Sequence, residues 1–205
     1  MQQVSKKVLT SAAEPVRTYH EVQVPLCDAE LSRDRAEAQK LMRAYNSTIE
    51  EDDAVRQTIL SKLLGSIGDN VTLREPVFLD YGYNVVIGSN VFLNFGCVFL
   101  DVCKIEIGDG CQIGPGVHFY AADHPRDPEK RASGVESGKP ICVGRNVWIG
   151  GHAVILPGIT IGDDAIVGAG SVVTRDVARG TTVAGNPASL LTTGTCPPRT
   201  RKSSP

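Results

Sequence analysis

Residues 143–173 read VGRNVWIGGHAVILPGITIGDDAIVGAGSVV, and a large aliphatic residue returns at every sixth position: Val143, Ile149, Ile155, Ile161, Val167 and Val173. Apolar residues six apart drift around a 3.6-residue helix instead of marking a stripe, so a helix is excluded. Four residues after several of them comes a small side chain, at Val147, Ala153, Ala165 and Ser171. One large and one small inward residue in every six is what a three-sided parallel β-helix requires. Each six-residue unit makes one short side, and about 18 residues close a coil.

Working outward, the same period runs through Ile67, Leu73, Leu79 and Val85, then Ile87, Leu93, Phe99 and Ile105, then Ile107, Ile113 and Phe119. Each run restarts two residues after an apolar residue, so the corners absorb a short insertion. Cys97, Cys103 and Cys111 fall in the small slot and are expected in the core. The residue after the large aliphatic is often Gly, as at Gly88, Gly108, Gly114, Gly144, Gly150, Gly162 and Gly168, and 18 of the 21 glycines lie between Gly82 and Gly185. Glycine suits corners, where backbone φ is positive or another coil passes close.

Coil lengths locate one interruption. Ile67 to Ile87 and Ile87 to Ile107 are 20 residues each and Val143 to Ile161 is 18, but Ile107 to Val143 is 36. The excess falls at 120–140, a proline- and charge-rich stretch expected to be an exposed loop, and long loops in compact domains are commonly functional. Upstream, residues 19–66 read as a helical segment. Asp28 caps one amphipathic helix through Leu31, Ala38, Leu41, Met42 and Tyr45. Thr48 or Asp52 caps a second, with Val55, Ile59, Leu60 and Leu63 inward and Gly65 as its stop. The β-helix is expected over 67–188, flanked by disordered tails at 1–18 and 189–205.

Composition narrows the function classes. The chain has 205 residues, 41% of them hydrophobic and 21% charged, which suits one globular domain. A net charge of −2 offers no basic field for nucleic acid or anionic lipid. No apolar run has signal-peptide or membrane-span length, and the six cysteines contain no CxxC pair, so the expectation is a cytoplasmic protein with reduced thiols and no metal.

The hexapeptide period, Asp123-His124-Pro125, the run Gly144-Arg145-Asn146-Val147-Trp148-Ile149-Gly150-Gly151, and Ala184-Gly185-Asn186-Pro187-Ala188 together resemble the hexapeptide-repeat O-acetyltransferases. The maltose and galactoside O-acetyltransferases are the most similar subgroup, and the likeness spans about Ala29 to Ala188. It implies a mainly β, left-handed parallel β-helix with a short N-terminal helical segment. It also implies acetyl-CoA as donor, a hydroxyl on a sugar-like small molecule as acceptor, and a homotrimer with sites between subunits.

Each implied role falls on a residue with its own chemistry. Acetyl transfer from a thioester needs a base for the hydroxyl proton, and imidazole is the side chain that ordinarily titrates nearest neutrality. The resemblance gives that task to His124, with Glu136 as an orienting carboxylate. Asp80 and Asn94 occupy the slot where glycine is usual. By themselves such residues read as corner hydrogen-bonders, but the resemblance makes them acceptor-binding, with Asp101 beside a third such position. Trp148 is too large for the inside of a narrow coil and is expected on a wall. The resemblance puts it beside the cofactor arm with Gly150 and Gly151, whose N–H groups suit an oxyanion, and adds Ala169 and Thr174 as further cofactor contacts. Relatives often continue the Asn-Pro-Ala turn with basic residues that meet the cofactor phosphates, whereas this chain reads Ser189-Leu190-Leu191-Thr192. Arg175, Arg179, Arg199, Arg201 and Lys202 are the alternatives.

Three other readings use the same fold. An N-acetyltransferase, or an acetyltransferase of antibiotics or secondary metabolites, would employ the same base on another acceptor. A zinc lyase resembling the γ-type carbonic anhydrases would use His118 and His124, but its upstream histidine is missing around residues 80–90. A non-enzymatic scaffold subunit would have no use for Asp80, Asn94, His124 and Trp148 together. Cys142 as an acyl-enzyme nucleophile has no histidine adjacent in sequence.

Overall fold

The computed structural model describes residues 22–25, 29–49 and 51–191, so the expected tail over 1–18, the cap at Asp28 and residues 192–205 lie outside the described residues. The hexapeptide reading holds: about six coils of short parallel strands form a three-walled prism. The first wall stacks Ser66–Ile67, Val85–Ile87, Ile105–Ile107, Ile141–Val143 and Thr160–Ile161. The second stacks Thr72–Leu73, Phe92–Leu93, Gln112–Ile113, Trp148–Ile149, Ile166–Val167 and Thr182–Gly185. The third stacks Phe78–Leu79, Val98–Leu100, His118–Tyr120, Val154–Ile155 and Val172–Val173.

Register keeps like over like. Leu73 lies over Leu93 and Ile113, and Ile149 over Val167, so each inward residue packs on its counterpart one coil away. Phe99 and Phe119 stack inside the third wall with ring centroids 5.1 Å apart. Cys97, Cys103 and Cys111 are buried as the small-slot reading expects.

The structure separates the two corner requirements. Between the first and second walls the left-handed conformation falls two residues after the usual glycine, on Asn70, Asn90, Gly110, Asn146, Asp164 and Gly180. Asn and Asp tolerate this conformation better than other non-glycine residues. The glycine itself answers a close approach. At Gly150 a Cβ would lie 2.5 Å from the Ala169 nitrogen of the next coil, so only Gly lets these coils stack.

Two helices cap the first coil. Helix α1, Ala29–Asn46, reaches it through Arg35, Gln39 and Asn46, spaced along one face. Gln39 donates to the Leu79 carbonyl, and Asn46 exchanges two bonds with Val77 at 2.8 and 2.9 Å. Helix α2, Asp53–Leu63, departs from the expected stripe: Val55 is 53% exposed, and Arg56 is buried with Leu60 and Leu63. Asp52 occupies the N-cap position without a side-chain capping bond, while the Thr48 hydroxyl turns back to the Tyr45 carbonyl. Gly65 serves close approach rather than a helix stop, since a Cβ there would sit 2.3 Å from the Tyr83 carbonyl oxygen.

The 120–140 excursion is organised, contrary to the expectation of an irregular loop. Ala122–Asp123 pairs with Val135–Gly138, which pairs in turn with Val22–Pro25, a strand the helical reading of 19–66 did not anticipate. A one-turn helix α3, Pro128–Ala132, spans the tip and is capped by the Asp127 carboxylate. The supposed tail also starts later than residue 189, because Ala188–Leu190 runs antiparallel to Thr182–Gly185 and closes the last coil.

Candidate active site

The sequence-derived residues fall on two edges of the prism. Asp80, Asp101 and the hairpin bearing His124 and Glu136 leave the third wall on successive coils, at the edge between the third and first walls, and Thr174 lies further along that edge. Asn94, Gly150, Gly151 and Ala169 line the edge between the second and third walls, with Trp148 just before it on the second wall. A side of about six residues at ~3.3 Å each separates the edges by roughly 15–20 Å. One chain therefore does not bring the two groups together.

On the first edge, the His124 backbone is held while its imidazole stands exposed. The Asp123 carboxylate accepts from the His124 N–H at 2.8 Å and from both Arg126 guanidinium nitrogens, and Arg126 also donates to the His124 carbonyl. Glu136 faces this group half-buried. Burial raises its pKa first of all; the charges of His124 and Arg35 work against that rise, and Asp80 adds to it. Asp80 is likewise raised by burial and drawn back by Arg35. Arg35 donates to the Tyr81 hydroxyl at 2.7 Å, so helix α1 delivers a cation to a cluster of carboxylates. Sequence reasoning missed Arg35 and Tyr81, because a charged residue on a helix face carries no mark of what lies across from it.

Asp101 is 0% exposed and does not reach an acceptor, which corrects the expected binding role. Its Oδ1 accepts from the Asp80 and Tyr81 N–H groups at 3.0 and 2.9 Å, while Oδ2 has no hydrogen-bond partner among the described residues. Asp101 is a positioning residue, the clamp on the turn that presents Asp80. Burial pushes its carboxyl up to about 7, against the pull of the backbone N–H donors. The unfolded carboxyl titrates at its ordinary ~3.9, so folding favours the protonated form. Stability from this group is complete below about pH 4 and is lost as the pH rises through 7. Asp101→Asn keeps an acceptor oxygen and cannot ionise. Urea denaturation at pH 5 and pH 8 should show the variant gaining on the wild type by about 3 kcal/mol at most, because pH 5 already lies above the unfolded pKa and about two units at 1.36 kcal/mol each remain below the folded one; parallel pH profiles for the two proteins would refute the clamp's protonation.

On the second edge, Trp148 is 56% exposed, in the outward position expected of it. The carbonyl of Gly151 accepts from Gly170, but among the described residues neither the Gly151 N–H nor the Ala169 N–H has an acceptor. Two backbone donors without an acceptor among the described residues thus sit on adjacent coils of this edge. Asn94 Oδ1 accepts from the Phe95 N–H at 2.9 Å and from Arg74 at 3.3 Å. Thr174 is exposed, followed by exposed Arg175, whereas Arg179 is paired with Asp164. His118 bonds the Tyr120 hydroxyl, and His152 is an exposed corner residue. Among the described residues no three His, Cys, Asp or Glu side chains group as metal ligands.

A capped hexapeptide solenoid with unused backbone donors on one edge and a hairpin histidine on another has the parts of an acyl-transfer protein. The chain matches the maltose acetyltransferase hexapeptide capping motif over residues 25–68 and the bacterial transferase hexapeptide (six repeats) over 143–175. Nodulation protein L of Rhizobium meliloti (strain 1021) is 50% identical over 161 residues, covering 78% of this chain and 88% of that protein. Among solved structures, a maltose O-acetyltransferase from Clostridium difficile 630 is 46% identical with a TM-score of 0.81, over 82% of this chain and 90% of that one. A galactoside acetyltransferase in complex with coenzyme A is 34% identical with a TM-score of 0.80, over 83% and 85%. The chain belongs to the hexapeptide-repeat acetyltransferases, in the group of the maltose and galactoside O-acetyltransferases.

Proposed function

We propose that the protein transfers an acetyl group from acetyl-CoA to a hydroxyl of a sugar or sugar-like acceptor, in sites completed between subunits of a homotrimer. The observation that carries this reading is the division of the site residues between two edges flanking one wall. The outward row of that third wall is Phe78, Val98, His118, Val154 and Val172, mostly apolar. With this wall turned to a three-fold axis, the edge between the second and third walls of one subunit abuts the edge between the third and first walls of the next. His124, Glu136 and Asp80 of one chain then face Asn94, Trp148 and Gly151 of its neighbour. The bound coenzyme A of the galactoside acetyltransferase supports the cofactor assignment.

In this mechanism His124 takes the proton of the acceptor hydroxyl, and that oxygen attacks the thioester carbonyl. The Gly151 N–H donates to the oxyanion; a donor of this kind contributes about 2.7–4 kcal/mol in the transition state. The carbon–sulfur bond breaks, and the leaving thiolate takes the proton from the imidazolium, which restores the neutral base. Glu136 holds the imidazolium, and the turn fixed by Asp101 presents Asp80 to the acceptor.

The division between edges makes a sharp test. His124→Ala and Asn94→Ala, each inactive alone, should recover activity when unfolded together and refolded as mixed trimers. Random mixing gives about a quarter of sites both intact edges. Free-thiol release from acetyl-CoA across a panel of sugars and amino sugars reads the result. No recovery from a mixture shown by mass to be trimeric refutes shared sites, and release with amines alone favours the N-acetyl alternative.

A further inference from the structure

The two ends of the prism are closed unequally. Helices α1 and α2 cover the first coil, whereas among the described residues the last coil is followed only by Ala188–Leu190, the terminal strand of the second wall. One edge of that strand pairs antiparallel with Thr182–Gly185, and the other has no partner strand among the described residues. The Leu191 N–H donates to the Thr182 carbonyl at 2.8 Å. Backbone groups alternate sides along an antiparallel strand, so Leu190, its neighbour, turns its own N–H and C=O to the open edge. Leu190 also lies opposite the buried Val183, on the inward face of the wall, yet it is 59% exposed because no further coil packs on it. Leu191 follows on the outward face and is 51% exposed.

An open edge bearing leucines is a template for another strand, and native chains guard such edges with charges, proline or a bulge. Residues 188–191 have no charge and no proline, and residues 180–198 contain no charged side chain in a chain of which 21% is charged. Neutrality suits a second copy above other partners, because a face that meets itself across a two-fold axis sets each charge near its like. One pair of such short edges buries too little to hold two chains. In a trimer three act together. A triangular prism end about 15–20 Å on a side projects about 100–170 Å², so three ends against three cover roughly 600–1,000 Å² in projection. The accessible area of a side-chain-covered face exceeds its projection, which brings the contact to the ~1,200 Å² at which stable interfaces begin.

We propose that two trimers stack end to end, residues 188–191 of each chain pairing antiparallel with the same residues of a chain in the other trimer. The second wall then runs on across a two-fold axis, and the Leu190 side chains become interior. This rests on the three-fold assembly of the preceding section. Light scattering of the full chain at micromolar concentration should read the mass of six chains. Leu190→Lys with Leu191→Lys, which sets like charges face to face, should halve that mass and leave thiol release from acetyl-CoA within twofold. A wild-type mass of three chains overturns the stacking and keeps the trimer, and so does a six-chain mass that the lysines leave intact. A full chain of three that becomes six when it ends at Leu191 gives the edge to residues 192–205 and overturns the second copy as its occupant. A mass of one or two chains overturns the trimer and the stacking together. Should the lysine variant fail to fold, amide exchange at Leu190 in the six-chain wild type decides: slow exchange supports the pairing, and exchange at the rate of a free edge overturns it.

Discussion

Under the proposed mechanism His124→Ala is expected to lower the turnover of acetyl transfer by roughly 10²–10⁴, the range for loss of a positioned general base, and to leave coenzyme A affinity within about twofold. The geometry explains why the two effects separate. His124 stands on the hairpin at the edge between the third and first walls, whereas the unused Gly151 and Ala169 donors and the exposed indole of Trp148 occupy the other edge. Removing the imidazole also leaves its support in place, since Asp123 and Arg126 grip the His124 backbone and not its ring. Stopped-flow or steady-state thiol release, with calorimetry for coenzyme A, checks both halves. Full turnover in the variant would remove His124 from the mechanism, and equal losses of turnover and cofactor affinity would make it a binding residue.

The solenoid was legible because its information is periodic. A six-residue repeat of large and small side chains specifies inside from outside at every position, and Phe99, Phe119 and Ile149 all lie where the period puts them. Trp148 was legible for the converse reason, being too large for the inside. Asp101 was not. It occupies a polar slot in the repeat, and a sequence does not tell whether a carboxylate at a corner faces solvent or turns under the chain to hold two N–H groups of the preceding coil. The hairpin at 120–140 was hidden because its second strand, Val135–Gly138, pairs with Val22–Pro25, about a hundred residues away, and short non-periodic strands carry no local mark of a distant partner. Helix α2 failed in a more instructive way. Arg56, Leu60 and Leu63 have the i, i+4, i+7 spacing of a buried face, but a stripe drawn through apolar residues alone takes Val55 and passes over Arg56.

Arg56 carries the second large effect: Arg56→Ala should cost about 3 kcal/mol, the lower end of what truncating one member of a buried ion pair costs. Arg56 is 7% exposed and makes four bonds: to Glu75 at 2.8 Å, Thr48 at 3.0 Å, and the Tyr45 hydroxyl and Leu73 carbonyl at 2.7 Å each. Burial opposes its charge, yet the bonds to Glu75 and Tyr45 hold its pKa above the ordinary value. Burial likewise raises Tyr45 to about 12, with Arg56 pulling the other way. The guanidinium therefore ties both helices to the first coil, and its loss strands a carboxylate and leaves a half-satisfied carbonyl. Glu75 is partly exposed and can recover some water, which places the effect at the low end of the range. At about 2–4 °C per kcal/mol for a chain of this size, the expected fall in Tm is roughly 6–12 °C. Arg56→Met with Glu75→Gln separates the causes, since it fills the volume and removes the stranded charge together. Recovery of most of the lost Tm in the double variant assigns the cost to the unpaired carboxylate; a loss as large as that of Arg56→Ala assigns it to the bonds with Tyr45 and Leu73, and an Arg56→Ala protein as stable as the wild type would remove the tie altogether.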